Sequence, residues 1–175
     1  DGRRTGRRRG RAVTSGSGRR GRFITLEGGE GAGKSTHLRD LADWLEPRVG
    51  PVVRTREPGG TPGAEAIRAL LVGGAVDRWV PASELLLHYA ARADHVERVV
   101  RPALEAGGWV GSDRFADSTM AYQGYASALG PDRVRAVHLA AIGEFAPDLT
   151  IVLDLPVEEG LARAAERRGG GADRY

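Results

Sequence analysis

No cysteine occurs in the 175 residues, which excludes a disulfide framework and a thiolate metal site. Aromatic residues are scarce at 6%, and no apolar run approaches the roughly 18 residues that a membrane helix requires. No apolar stretch follows the basic start in the manner of a signal peptide, so the reading is a cytoplasmic protein with no membrane role. Lysine is nearly absent as well: 25 of the 26 basic residues are Arg, and the single Lys is Lys34. His37, His95 and His138 show no ligand spacing with one another and read as surface or satisfied polar positions.

What is present is enough for one domain, with 41% hydrophobic residues in a chain of ordinary domain length. The net charge of +3 is unevenly spread. Residues 1–21 hold eight Arg and one Asp, which leaves −4 on the remainder. The high pI therefore belongs to the tail. Residues 1–21 are expected to be a disordered, solvated Arg/Gly/Ser segment, and nucleic acid is not an expected partner. Residues 22–175 are expected to form the folded domain.

Short β-branched runs alternate with helical periods. Strands are expected at 23–27, 51–55, 109–112 and 149–153. Helices are expected at 34–46, stopped by Pro47, and at 62–72, 81–100, 117–128, 131–143 and 157–168. The helix at 81–100 carries two stripes. Leu85, Tyr89, Ala93, Val96 and Val100 suit a core, while Glu84, His88, Arg92 and His95 face something polar. Alternating strands and helices imply an α/β fold with a parallel sheet flanked by helices in three layers.

The sharpest signal is Gly28-Gly29-Glu30-Gly31-Ala32-Gly33-Lys34-Ser35, which fits G-x-x-x-x-G-K-[ST] between a strand and a helix. Glycines let backbone N–H groups turn inward around phosphate oxygens, and the following helix adds the positive end of its dipole. Lys34 suits the β- and γ-phosphates as a compact ammonium, and the Ser35 hydroxyl suits Mg²⁺. With Thr36, these residues make the expected ATP-binding set. A guanine-reading N-K-x-D motif is excluded, because the only Lys is Lys34. A kinase is favoured over a nucleotide switch.

Beyond the loop, the segments FITLEGGEGAGKST (23–36), TREPGGT (55–61), LLLHYAAR (85–92), DRFADSTMAYQG (113–124) and PDLTIVLDLPVEEGLAR (147–163) resemble thymidylate kinases, in family order and across nearly all of 22–175. The resemblance implies a P-loop fold of the nucleoside monophosphate kinase type, ATP and dTMP as substrates, Mg²⁺, and a homodimer. It implies that Glu30 meets the sugar 3′-hydroxyl of dTMP. It also implies that Arg56, Arg92 and Arg114 surround the acceptor, that Ser118, Thr119, Tyr122 and Gln123 line the thymine pocket, and that Asp113 lies near Mg²⁺ or its waters. The Glu57-Pro58 bond resembles a family bond that is often cis.

No Arg lies in the phosphate loop, so the chain resembles the bacterial type in which a lid supplies the assisting Arg. Arg163, Arg167 and Arg168 are the candidates, with Lys34, Glu30, Arg114, Arg167 and Arg168 as the expected catalytic set. His88 stands where the family commonly places a Phe that stacks on thymine. The family also commonly continues with a further strand and helix after the lid, and these are expected to be missing here.

Overall fold

The computed structural model describes residues 20–75, 77–127 and 129–168. The expected tail up to residue 19 and the part of the expected lid from residue 169 onward lie outside the described residues. Arg20 and Gly21, expected in the tail, are tied down: Arg20 pairs with Asp148 at 3.0 Å, and the Gly21 N–H donates to the Leu104 carbonyl at 3.0 Å.

The sheet holds β1 (Phe23–Gly28), β2 (Val52–Arg56), β3 (Trp109–Asp113) and β4 (Leu149–Leu153). All pairings are parallel, in the order β2-β3-β1-β4. Alternation along β1 divides the core. Ile24 and Leu26 pack on Leu38, Ala42 and Leu45 of α1 (Lys34–Val49). Phe23 faces the other way, onto Val96, Val100, Leu104, Val110 and Phe115. Its ring meets Phe115 edge-on, with centroids 5.0 Å apart. A period of two thus places Thr25 and Glu27 on the Phe23 side of the sheet, and both are buried.

The second layer contains α2 (Pro62–Val72), α3 (Pro81–His95), α4 (Arg101–Glu105), α5 (Ala116–Thr119) and α6 (Pro131–Ile142); α7 (Val157–Arg168) follows β4. Thr61 caps α2, its hydroxyl accepting from the Ala64 N–H at 3.0 Å. A third apolar cluster joins Leu85 and Tyr89 to Val134.

Three helix expectations are corrected. Pro47 does not stop α1, which runs on to Val49. Pro47 falls in the last turn, where the helix forfeits one bond, to the Asp43 carbonyl, yet continues for two residues, and the Gly50 N–H still closes on the Glu46 carbonyl. The 81–100 helix is not uniform: α3 passes into a π turn over Val96–Val100 and then into α4. Pro102 follows directly and cannot donate to the preceding turn, so the ladder shifts register ahead of it. The 117–128 helix is α5 followed by a second π turn over Met120–Tyr125.

Phe23 is fully buried between the two aromatic rings of Phe115 and Phe145. Phe23→Ala is expected to lower folding stability by about 3–5 kcal/mol, read as a shift in the urea midpoint with an unchanged slope.

Candidate active site

The C-terminal ends of β1 and β3 lie side by side, with Leu26 in register with Asp113. The connection from β1 leads across to β2, and that from β3 leads over β1 to β4, so the crevice between them is a topological switch point. The phosphate loop fills one wall. Gly31 and Gly33 have φ of 72° and 82°, a region that glycine enters without strain. Lys34 folds back over the loop and donates from Nζ to the carbonyls of Gly28 at 3.0 Å and Gly29 at 2.6 Å. Burial and the nearby Arg114 charge push the Lys34 ammonium below its usual range, against the pull of Asp113, Glu30 and Glu27. Ser35 donates its hydroxyl to Asp113 across the crevice, so the two expected metal-side residues meet. Thr36 is exposed on the first turn of α1.

The loop also has a second support. A Cβ on Gly31 would lie 2.1 Å from the Gly160 carbonyl oxygen, and one on Gly160 would lie 2.4 Å from the Glu30 carbonyl oxygen. The first turn of α7 therefore sits backbone to backbone on the loop.

Beside the loop lies a cavity of about 580 Å³, lined by Glu30, Glu57, Arg68, His88, Arg92, Arg114, Ser118, Thr119, Tyr122 and Gln123, among others. Arg114 follows β3 directly and holds a left-handed φ of 71°, a costly conformation for a side-chain-bearing residue and one that clusters at functional sites. Its guanidinium reaches the Gly28 carbonyl at 3.2 Å, the Ser118 hydroxyl at 2.8 Å and the Glu30 carboxylate at 3.2 Å. The Ser118 hydroxyl in turn donates to Glu27. Burial raises the Glu27 carboxyl, although bonds from Ser118 and the Phe115 N–H resist the rise.

Arg92 is 2% exposed. Its Nε donates to Glu57 at 2.7 Å, and its Nη2 donates to the Phe115 carbonyl at 3.0 Å and the Thr119 hydroxyl at 2.9 Å. Its Nη1 is the one buried side-chain polar atom recorded without a hydrogen-bond partner among the described residues. Nη1 is therefore the guanidinium nitrogen that Arg92 has not committed to a hydrogen bond in the protein. Burial works to raise the Glu57 carboxyl, but Arg92 and His95 overcome it and hold it below the usual range. Gln123 donates to Glu84 at 2.8 Å, which fixes its amide at the cavity wall.

Most of the expected acceptor residues converge here. Arg56 does not line the cavity; it is exposed and pairs with Glu65 at 3.1 Å. Arg68, unnoticed in the sequence, lines it instead, with its Nη1 on the Pro58 carbonyl at 2.9 Å. Glu27 and Glu57 were also passed over. Both stand inside quoted motifs; Glu27 ends an apolar strand run, which is a signal, whereas Glu57 lies between Arg56 and Pro58 and has none. Glu57-Pro58 is cis. Arg163 pairs with Glu159 one turn away, and the side chains of Arg167 and Arg168 lie outside the described residues.

A glycine-rich phosphate loop beside an arginine-lined cavity in one crevice is the arrangement of a nucleoside monophosphate kinase. Comparison narrows the class. A family model described as thymidylate kinase matches residues 26–173. The thymidylate kinase of Caulobacter vibrioides is 58% identical over 152 residues, 87% of this chain and 73% of that protein. That of Rhizorhabdus wittichii is 55% identical over 155 residues, 89% of this chain and 74% of that protein. The crystal structure of thymidylate kinase from Ehrlichia chaffeensis superposes with a TM-score of 0.73 at 35% identity, covering 85% of this chain and 89% of the other. The chain belongs to the thymidylate kinase family, and it is a phosphotransferase that converts dTMP to dTDP.

Two outcomes follow from the site geometry. Gly160→Ala places a methyl group against the Glu30 carbonyl. It is expected to raise the KM for ATP by about tenfold, the scale of a slightly misplaced site, with a smaller change for dTMP in steady-state assays. His88 is pushed by burial, and then by the Arg92 charge, from 6.5 to about 4. The folded chain refuses a proton that the unfolded chain accepts between those values, so stability falls as pH drops through that window. His88→Phe has no group to protonate there, and its melting temperature is expected to fall less than that of the unaltered chain over the same range.

Proposed function

We propose that this chain carries out its transfer by positioning and charge neutralisation, with the phosphate loop holding ATP and the arginine-lined cavity holding dTMP. The observation that carries this reading is the buried Arg92 with its unpartnered Nη1, in a cavity that shares Glu30 and Arg114 with the loop. A phosphate oxygen of dTMP attacks the γ-phosphorus, a new P–O bond forms, and the bond to the β-phosphate oxygen breaks as ADP leaves. Lys34 exchanges the Gly28 and Gly29 carbonyls for phosphate oxygens. Arg114 and Arg68 supply guanidinium donors for the acceptor phosphate, and Arg92 supplies Nη1 beside Thr119 and Gln123 for the base. Glu30, held by Arg114, is placed for the sugar hydroxyl.

Mg²⁺ fits the donor set at the crevice. A hydroxyl and a carboxylate already in contact are hard oxygen ligands, and Mg²⁺ takes few protein ligands because phosphates and waters complete its shell. Ser35 and Asp113 would hold it, and it would neutralise charge on the ATP phosphates. Arg167 and Arg168 of the lid are proposed as the Arg that meets the γ-phosphate. A homodimer in the cytoplasm is proposed on the family resemblance.

The test is diphosphate formation from Mg-ATP with dTMP, dUMP, UMP, CMP, AMP and GMP, with Lys34→Ala as the blank. The expected outcome is dTDP well above every other product and a loss of about 100-fold or more in Lys34→Ala, the scale of removing a preorganised electrostatic partner. A different preferred acceptor would overturn the assignment of the cavity. Full activity in Lys34→Ala would overturn the assignment of the loop.

A further inference from the structure

His95 is fully buried and does not itself line the cavity; it stands behind the lining residue Glu57. It nevertheless bonds at both ring nitrogens. Nδ1 lies 2.9 Å from Glu57 Oε1, and Nε2 lies 2.8 Å from the Thr55 hydroxyl. Glu57 is held below the usual carboxylate range, so its oxygens accept and the Nδ1 proton points at it. The ring is also wedged, because a Cβ on Gly60 would lie 2.6 Å from His95 Cδ2.

The other carboxylate oxygen, Oε2, takes Arg92 Nε at 2.7 Å. The Glu57 carboxylate can rotate about its terminal bond unless both oxygens are held. His95 holds one and Arg92 the other. The backbone end is held separately, with the Glu57 N–H donating to the Asp113 carbonyl at 3.0 Å. The sequence of contacts is Thr55, His95, Glu57, Arg92, ligand. An apolar side chain of the same size would fill the space equally well and leave the carboxylate free to turn.

We propose that His95 is a positioning residue for the acceptor: it fixes the Glu57 carboxylate so that the Arg92 guanidinium is held in one orientation in the cavity wall. This rests on the reading of Arg92 as an acceptor contact. His95 acts only through Glu57, and the ATP loop is not on its path.

The experiment compares His95→Phe, His95→Asn, Thr55→Val and Arg92→Gln for the KM of dTMP, the KM of ATP and kcat. His95→Phe is expected to raise the KM of dTMP by about tenfold with ATP within about twofold, the scale of a small misplacement of one binding group. The amide nitrogen of His95→Asn can replace the Nδ1 donor, and this variant is expected to recover most of that loss. Thr55→Val, which removes only the outer bond, is expected to give a rise of a few fold and decides the matter should His95→Phe not fold. In an Arg92→Gln background, His95→Phe is expected to add almost nothing.

Equal effects on both substrates would overturn the proposal. So would an Asn variant no better than Phe, or effects that multiply in the Arg92→Gln background. An unchanged KM of dTMP in Arg92→Gln alone would instead overturn the reading of the cavity, and the proposal with it.

Discussion

Arg92 carries its positive charge into a place almost closed to water. An unpaired charge there would cost several kcal/mol, and stripping one partner from a buried pair costs about 3–5 kcal/mol. The surrounding architecture answers that demand. Glu57 supplies the counter-charge, the Phe115 carbonyl and the Thr119 hydroxyl take further donors, and the Tyr89 ring lies with its centroid 4.6 Å from the guanidinium carbon. These partners come from just past β2, from both ends of α5 and from α3 itself. One side chain thus pins three elements that the backbone alone would leave free to slide.

The site has a paired logic. Two cavity arginines, Arg114 and Arg92, are each governed by a buried carboxylate from a strand end. Glu27 of β1 works on Arg114 through the Ser118 hydroxyl, and Glu57, just past β2, works on Arg92 directly. Their environments differ in sign. Glu27 has hydroxyl and amide donors but no cation on its own oxygens, and burial raises it; Glu57 has Arg92 and His95, and their charges prevail over burial. The parallel sheet brings both carboxylates to the same edge because every strand ends there.

Much of this was legible in the residues. The phosphate loop follows from its glycines and Lys34, and the strand at 23–27 follows from its apolar β-branched run. Arg92, Arg114, Ser118, Thr119, Tyr122 and Gln123 gather as their motifs imply. Other parts required three dimensions. Arg56 and Arg68 cannot be told apart by residue type; Arg56 ends β2 exposed and paired with Glu65, while α2 carries Arg68 to the cavity. The two π turns leave no periodic signature, since one inserted residue per turn leaves the apolar spacing intact on either side. Pro47 shows that a proline near a helix end need not terminate it. His95 read as a satisfied polar group, which it is, but its partners lie 38 and 40 residues away and no spacing announces them.

The near absence of lysine has a consequence for chemistry done on the protein from outside. These 175 residues offer a single side-chain primary amine, and it stands at the phosphate loop. Because burial eases its deprotonation, that amine is nucleophilic nearer to neutral pH than an exposed lysine would be. A mild acylating or aldehyde reagent therefore meets one side-chain target in the whole sequence. The extent of labelling becomes a direct gauge of how open the phosphate loop is, free of the background that an ordinary lysine-rich surface would add.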